Sequence, residues 1–195
     1  MENELFAFIS RYLSLDAAER QAILDLGVFR QYPKDHLLLR AGAWSHDYYF
    51  VLKGCLRAYA LADGVERTFN FFTEGQSYTP PCAAGHMASD HYLVCVEDAL
   101  LVVADATQEA ALFRRFPRFE TLCRRFTEDL LVQQQVSFDR FRHATPAERY
   151  QDLLRQRPDL VQRVPQHQLA SYLGIQPETL SRIRRRLADQ ARALS

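Results

Sequence analysis

The chain has 195 residues, of which 48% are hydrophobic and 25% are charged, as is ordinary for a folded protein. Its 24 basic and 24 acidic residues give no net charge, which taken alone argues against a DNA-binding protein. The distribution is uneven, however, because residues 144–195 hold nine arginines against five acidic residues. Residues 1–143 hold fifteen basic against nineteen acidic residues. The sequence therefore predicts an acidic body followed by a basic domain.

The cysteines and the first residues bear on the cellular compartment. The four cysteines are scattered without a Cys-x-x-Cys pair, which argues against a disulfide framework or a structural zinc site. The chain starts with acidic residues, unlike the basic start of a signal peptide. No apolar run approaches the length that spans a membrane. We expect a cytoplasmic protein without a membrane partner.

The first hundred residues predict two helices and then a series of short strands. Residues 5–13 have the pattern of a short amphipathic helix, and Asp16 with Glu19 forms a capping-box pattern for a second helix through Leu26. Asp63-Gly64 is a strong hairpin signal. Turn signals recur about every ten residues, which is typical of an antiparallel barrel or sandwich. The predicted strands are 36–40, 48–52, 55–61, 67–72, 92–96 and 99–104.

Helical character returns after Asp105, with a short helix over 107–113 and a long one from about Pro117 to His143. Side chains at three- and four-residue steps form a stripe along the long helix: Phe119, Leu122, Phe126, Leu130, Gln133 and Ser137. The stripe favours a helix packed against its twin in a homodimer. A helix lying wholly on its own core is the alternative. Glutamines 133–135 form either a polar layer between subunits or an exposed surface.

Residues 166–187 predict two short helices joined by a sharp turn. Leu169 and Leu173 give the first helix an apolar face, and Gly174 permits the positive φ that a sharp helix end needs. Pro177 suits the first turn of the second helix, where its missing N–H costs nothing. The inward face of that helix carries Leu180, Ile183 and Leu187.

The rest of the second helix carries side chains suited to DNA. A glutamate accepts a hydrogen bond from cytosine N4, and an arginine donates two to guanine. An ordinary helix pair with a solvated Glu–Arg pair is the alternative, but the glycine turn, proline start and basic face together favour a helix-turn-helix. The candidate DNA-binding residues are Gln176, Pro177, Glu178, Thr179, Ser181, Arg182, Arg184, Arg185 and Arg186.

Thr145-Pro146 breaks the long helix and marks a domain hinge, and Thr145 with Glu148 forms a second capping box. We therefore predict three parts. Residues 1–116 form a β-domain with N-terminal helices, residues 117–143 a dimerisation helix, and residues 144–195 a helix-turn-helix domain that binds DNA.

This order of parts resembles the cyclic-AMP receptor protein / fumarate-nitrate regulator (Crp/Fnr) family of bacterial transcription regulators over essentially the whole chain. The matching segments are 48–57, 96–98, 144–150 and the helix-turn-helix. The resemblance implies an α+β fold: an N-terminal antiparallel β-roll of jelly-roll, cyclic-nucleotide-binding type, a long dimerisation helix and a C-terminal helix-turn-helix. It further implies a homodimer on a palindromic operator in double-stranded DNA, a contact with RNA polymerase and a small-molecule effector. It implies neither an enzyme nor a cofactor.

The second helix of the helix-turn-helix, which the family uses to recognise DNA, departs from the family pattern at one position. The family carries an Arg-Glu-Thr-x-x-Arg run, which is matched here by Pro177, Glu178, Thr179 and Arg182. Thr179 matches a family position near phosphate. Pro177 cannot make the base contact of the first arginine, so the outer part of each half-site should differ. Because the chain ends soon after Leu187, we expect no β-hairpin wing.

The effector pocket departs further. Family members that bind cyclic nucleotides have a Gly-Glu pair for the ribose and an Arg-Ser/Thr-Ala run for the phosphate. The corresponding positions are Thr79-Pro80 and a site near Ser89, and residues 78–91 contain no arginine or lysine. A buried phosphate would lack its charge-assisted partner. We expect an effector other than a cyclic nucleotide, in a pocket formed by Tyr78, Thr79, Cys82, Ser89 and His91.

Two further interpretations remain open. Cys82, His86, Asp90 and His91 are possible ligands of a metal, haem or redox sensor, but their spacing fits no standard set, so we favour an ordinary loop and expect no metal. No cysteine precedes Cys55, which argues against the iron–sulfur cofactor of one family branch. The other function class is a cupin-like ligand-binding or enzymatic roll with the helix pair as a packing module. A cupin should show a His-x-His pattern, which this chain lacks.

Overall fold

The computed structural model describes residues 2–85 and 87–193. The chain divides into two compact units. The first comprises Met1–Arg57 and Phe72–Gln135, and the second comprises Ala58–Phe71 and Val136–Ser195. The second unit therefore joins a segment from the middle of the chain to the C-terminal helices. The three-part division at residues 116 and 143 remains a prediction.

Eight strands and eight helices lie within the described residues. The strands are β1 (Phe29–Tyr32), β2 (Leu37–Leu39), β3 (Asp47–Lys53), β4 (Leu56–Ala62), β5 (Val65–Phe72), β6 (Ser77–Tyr78), β7 (Tyr92–Cys95) and β8 (Ala99–Asp105). The helices are α1 (Glu2–Ile9), α2 (Ala17–Asp25), α3 (Ala106–Arg115), α4 (Arg118–His143), α5 (Pro146–Gln156), α6 (Pro158–Arg163), α7 (Gln166–Tyr172) and α8 (Pro177–Ala193).

The strands form two four-stranded sheets, with the orders β1-β8-β3-β6 and β2-β7-β4-β5. β8 pairs antiparallel with β1 and with β3, so that Val102 lies opposite both Phe29 and Phe50. Neighbouring strands are rarely consecutive in the chain, as in jelly rolls and unlike simple meanders. The β4–β5 hairpin turns at Asp63 and Gly64, which both have positive φ, as the Asp-Gly signal predicts.

The core of the first unit combines the N-terminal helices, the roll and the start of α4. Its buried side chains come from these three sources: Leu5, Phe6, Ile9, Ile23, Leu52, Phe119 and Leu122. Asp16 and Glu19 form the predicted capping box, with the Asp16 carboxylate accepting from the Glu19 N–H at 2.8 Å and the Glu19 carboxylate accepting from the Asp16 N–H at 2.9 Å. The N-terminal helices therefore belong to the same core as the roll.

The first half of α4 packs on its own chain, which corrects part of the expected dimer stripe. Phe119 and Leu122 are only 2% and 9% exposed and lie in the core just described. The Phe126 ring meets the Phe8 ring edge-on, with ring centres 5.2 Å apart, and lies 6.2 Å from the Phe50 ring. These apolar side chains pack against α1 and the roll, so their periodicity reflects burial within the chain.

Three elements were missing from the predictions. α6 begins at Pro158, and proline is well suited to the first turn of a helix. β1 and β6 were also not predicted, and β6 has only two residues, too few for a periodic signal. The other predicted strands lie within two residues of their observed bounds, but α1 (Glu2–Ile9) begins and ends three to four residues earlier than the predicted 5–13, and α8 continues to Ala193, beyond the predicted end at Leu187.

Gly54 offers a test of the roll. Its φ is +106°, and a Cβ there would come within 2.8 Å of the Ala99 Cα and the Asp98 carbonyl oxygen. We expect Gly54→Ala to lower the free energy of unfolding by about 2–4 kcal/mol, because it adds backbone strain and a backbone clash. Gly64→Ala is the control, since its φ is +75° with open space around the position, and should cost about 1–2 kcal/mol. The measurement is urea denaturation of both variants. Equal losses of unfolding free energy in Gly54→Ala and Gly64→Ala would contradict the backbone clash at Gly54.

Candidate nucleic-acid interface

The C-terminal helices form a small core of their own. α5 starts at Pro146 and is capped by Thr145, whose side-chain oxygen accepts from the Glu148 N–H while the Glu148 carboxylate accepts from the Thr145 N–H at 2.7 Å. Apolar side chains from all four helices are buried: Tyr150, Leu153, Leu160, Leu169, Ala170, Leu173, Leu180 and Ile183. This core holds α8 in a fixed place within the second unit.

A sharp turn separates α7 from α8. Gly174 has a φ of +70°, and its N–H donates to the Ser171 carbonyl at 3.0 Å. The Ile175 N–H reaches back to the Ala170 carbonyl at 3.0 Å, the pattern of a helix closed by a left-handed residue. The Leu180 N–H then donates to the Gln176 carbonyl at 3.1 Å, so the next helix begins immediately.

Arg149 fastens this turn to α5. Its guanidinium donates to the Leu173 carbonyl at 2.9 Å through Nη1 and to the Ala144 carbonyl at 3.1 Å through Nε. The same group lies 4.2 Å above the centre of the Phe141 ring. This role of Arg149 was not predicted from the sequence, where its only signal is that Arg149 lies in segment 144–150, which resembles the family.

The β4–β5 hairpin is attached to α7 by one serine. The Ser171 hydroxyl accepts from the Thr68 N–H at 2.9 Å and donates to the Glu66 carbonyl at 3.1 Å. Beside it, the Tyr172 ring meets the Phe71 ring edge-on at 5.5 Å. These contacts explain why residues 58–71 belong to the same compact unit as the C-terminal helices.

α8 divides into an inward and an outward face as the sequence predicts. Leu180 and Ile183 are 1% and 9% exposed and face the helical core. Arg184 and Thr179 are half-buried at the border between the faces. The other candidate DNA-binding residues are exposed: Gln176, Pro177, Glu178, Ser181, Arg182, Arg185 and Arg186.

A groove of about 480 Å³ runs along the outward face, lined by Arg182, Arg185, Arg186, Asp189 and Gln190. Within the described part of the chain, none of its three arginines is ion-paired.

The two aspartates elsewhere in the helical domain, Asp152 and Asp159, pair with other arginines, and Glu148 caps α5. Arg155 pairs with Asp152, and Arg157 and Arg163 lie 3.4 and 3.9 Å from Asp159. The positive charge of the C-terminal segment is therefore concentrated on the groove of α8.

The expected effector residues are mostly buried in the roll. Tyr78, Cys82 and Ser89 are 9%, 0% and 2% exposed, whereas Thr79 is exposed and His91 is half-buried. The Ser89 hydroxyl donates to the His91 carbonyl at 3.0 Å and accepts from the His91 N–H at 3.2 Å. Its hydrogen bonds therefore stabilise the loop in which it lies.

Tyr78 differs from the rest, because its hydroxyl has no hydrogen-bond partner among the residues described. Burial, reinforced by Cys82 and Asp90, raises the pKa of Tyr78 to about 12. Its phenol therefore stays a neutral hydrogen-bond donor at physiological pH.

The possible metal ligands do not assemble into a site in the part of the chain that can be described. No group of three or more His, Cys, Asp or Glu side chains able to hold a metal ion occurs there. The Asp90 carboxylate lies against the His91 imidazole, and His86 lies outside the described residues.

The second half of α4 is exposed on all sides. Every residue from 131 to 143 is exposed, including Gln133 and Ser137, while Leu130 is half-buried. Five large apolar side chains are 41–61% exposed: Leu131, Val132, Val136, Phe138 and Phe141. Exposed apolar side chains along a helix of this length mark a surface suited to a partner. No helix in the described residues combines the length and apolarity needed to cross a membrane.

Comparison with known proteins identifies the roll. Residues 29–122, from β1 to the start of α4, match the sequence model of the cyclic nucleotide-binding domain family. This segment is therefore similar to cyclic nucleotide-binding domains. No curated protein matches the chain in sequence.

Solved structures extend the likeness beyond this domain. The c-di-GMP-responsive global regulator CLP of Xanthomonas campestris is 18% identical, with a TM-score of 0.66 over 90% of this chain and 93% of that one. A CooA variant from Carboxydothermus hydrogenoformans is 18% identical, with a TM-score of 0.62 over 85% and 79% of the two chains. FixK2 from Bradyrhizobium japonicum is 17% identical, with a TM-score of 0.61 over 84% and 85%. The predicted fold class is therefore confirmed: an antiparallel jelly-roll-like domain, similar to cyclic nucleotide-binding domains, followed by helices.

Proposed function

We propose that this protein is a transcription regulator of the Crp/Fnr type that binds double-stranded DNA and is not an enzyme. The observation that carries the proposal is the outward face of α8, where Arg182, Arg185 and Arg186 line an exposed groove without carboxylate partners among the described residues. Clustered arginines on one helix face are the electrostatic footprint of nucleic-acid binding. No observation favours the cupin-like alternative.

The dimensions of α8 fit a DNA groove. The helix has 17 residues and is about 25 Å long at 1.5 Å per residue, while the B-DNA major groove is about 12 Å wide and admits one helix. The turn at Gly174 leaves the start of α8 exposed at Gln176 and Pro177. The first two turns of α8 are therefore the part that enters the groove.

In this proposal Glu178 and Arg182 recognise the bases of the DNA. They are four residues apart, on one face and about 6 Å apart along the helix axis, close to the span of two base-pair steps of about 3.4 Å each. Glu178 accepts from a cytosine, and Arg182 donates two bonds to a guanine. Arg185 and Arg186 lie one turn further along and bind phosphate, as Thr179 does at the border of the face.

Arg182→Ala tests the reading role. We expect the variant to bind its preferred DNA about 1–3 kcal/mol more weakly and to lose preference at one G·C pair in each half-site. Arg155→Ala is the matched control, because Arg155 lies on α5 and is already paired with Asp152. The measurement is a binding selection on randomised duplexes with wild type and both variants. An unchanged sequence preference in Arg182→Ala would remove Arg182 from the reading role.

We further propose that the protein forms a homodimer through the second half of α4. Leu131 and Phe138 are seven residues apart and share one face, and Val132 and Val136 share another. Burial of these apolar side chains against a second copy would stabilise a dimer. Two α8 helices related by a two-fold axis would then reach half-sites about 34–36 Å apart.

Substitution on this surface should separate the copies. We expect Leu131→Glu with Val136→Glu to give monomers, since a carboxylate would have to be buried in the apolar contact. DNA affinity should fall with the dimer. Leu154→Glu on α5 is the control, because Leu154 is also exposed, at 39%. Phe126 is unsuited to this test because it packs inside the chain. A wild-type protein that sediments as a monomer with and without DNA would contradict the dimer.

The effector of the cyclic nucleotide-binding domain, in this proposal, is not a cyclic nucleotide. Residues 78–91 contain no arginine or lysine, and the Ser89 hydroxyl is already bonded within its own loop. A buried phosphate there would have no guanidinium to neutralise it. The Tyr78 hydroxyl is the polar group that a bound effector would meet, and it donates a neutral hydrogen bond.

Calorimetry with cyclic AMP and cyclic GMP tests this exclusion. We expect dissociation constants above about 1 mM for both, because the charge-assisted contact to the phosphate is missing. Micromolar binding would overturn the proposal. In that event Arg57→Lys would be the next variant, since Arg57 on β4 is a buried arginine at 3% exposure.

A further inference from the structure

α8 carries one carboxylate on the same face as its arginines. Asp189 is seven residues after Arg182 and eleven after Glu178, so at about 100° per residue the three side chains point within about 20° of one direction. Asp189 is exposed and lines the groove with Arg185 and Arg186. The outward face therefore alternates in charge along its length.

The stability of α8 does not explain this carboxylate. Asp189 lies four residues before the end of the helix, where the helix dipole disfavours negative charge. Arg185 and Arg186 precede it by four and three residues, yet within the described residues no ion pair joins Asp189 to either. The Asp189 carboxylate is therefore available to interact with a ligand that binds along the outward face of α8.

The bound geometry would place Asp189 beside the DNA backbone. Asp189 is about 16 Å beyond Glu178 along the helix axis, and the major groove is about 12 Å wide. When Glu178 and Arg182 meet base edges, Asp189 lies past the groove, close to phosphates. A carboxylate there repels the phosphates and competes with them for Arg185 and Arg186.

We propose that Asp189 limits the sequence-independent affinity of this protein for DNA. It opposes the phosphate contacts that every duplex offers, so that only sequences adding base contacts to Glu178 and Arg182 are bound at low protein concentration. This inference rests on the proposed DNA-binding function. It assigns Asp189 a role opposite to that of its neighbouring arginines.

Asp189→Asn tests the inference, because it keeps the shape of the side chain and removes its charge. The probes are a random-sequence duplex of about three helical turns and a duplex carrying the selected sequence. At about 50 mM salt the variant should bind the random duplex about three- to tenfold more tightly than wild type, and the gain should shrink at about 200 mM. Thermal unfolding of the variant should be unchanged or occur at higher temperature.

Asp152→Asn is the matched control, since it adds the same charge to the helical domain away from α8, where Asp152 pairs with Arg155. It should leave the binding of the random duplex unchanged. Equal tightening by both variants, or none by Asp189→Asn while wild type binds, would overturn the role of Asp189 alone. If wild type binds neither duplex at the lower salt, the proposed DNA-binding function itself fails.

Discussion

The arrangement of the C-terminal helices depends on the guanidinium of Arg149. It donates to carbonyls at Ala144 and Leu173 and lies over the Phe141 ring, so one side chain joins the end of α4, the start of α5 and the turn before α8. Hydrogen bonds from a charged donor contribute about 1.5–3 kcal/mol each. The helix end at Leu173 leaves carbonyls without helical partners, and Arg149 satisfies one of them. The direction of α8, and with it the direction of its arginines, is set by this contact.

The long helix has two different surroundings. Its first half belongs to a core in which Phe119 and Leu122 are buried against the N-terminal helices and the roll. Its second half exposes apolar side chains of similar size, such as Leu131 and Phe138. The spacing of apolar side chains is therefore similar along all of α4, although the first half is buried within the chain and the second half is exposed.

The sequence predicted the roll, the long helix and the turn before α8, because alternation, three- and four-residue periodicity, Asp63-Gly64 and Gly174 are local signals. It did not predict which side chains of α4 are buried within the chain, since Phe119 and Leu131 look alike without the elements packed around them. Arg149 and Ser171 were missed for a related reason. Their partners are backbone carbonyl or N–H groups far away in the chain. Because these backbone groups occur whatever the side chain, the sequence does not indicate which of them will be the partner. The orphan hydroxyl of Tyr78 likewise became visible only once its surroundings were known.

The contact between Ser171 and the hairpin also bears on aggregation. β5 is the last strand of its sheet, and an edge strand offers unpaired N–H and C=O groups to any other chain. Ser171 occupies two of these groups, at Glu66 and Thr68, as a neighbouring strand would. Val65 and Phe69 on the same strand are 52% and 41% exposed, so this edge combines apolar side chains with backbone hydrogen-bonding capacity. A serine on a helix thus occupies, with one hydroxyl, two backbone groups of an edge strand that would otherwise be open to strands of other molecules.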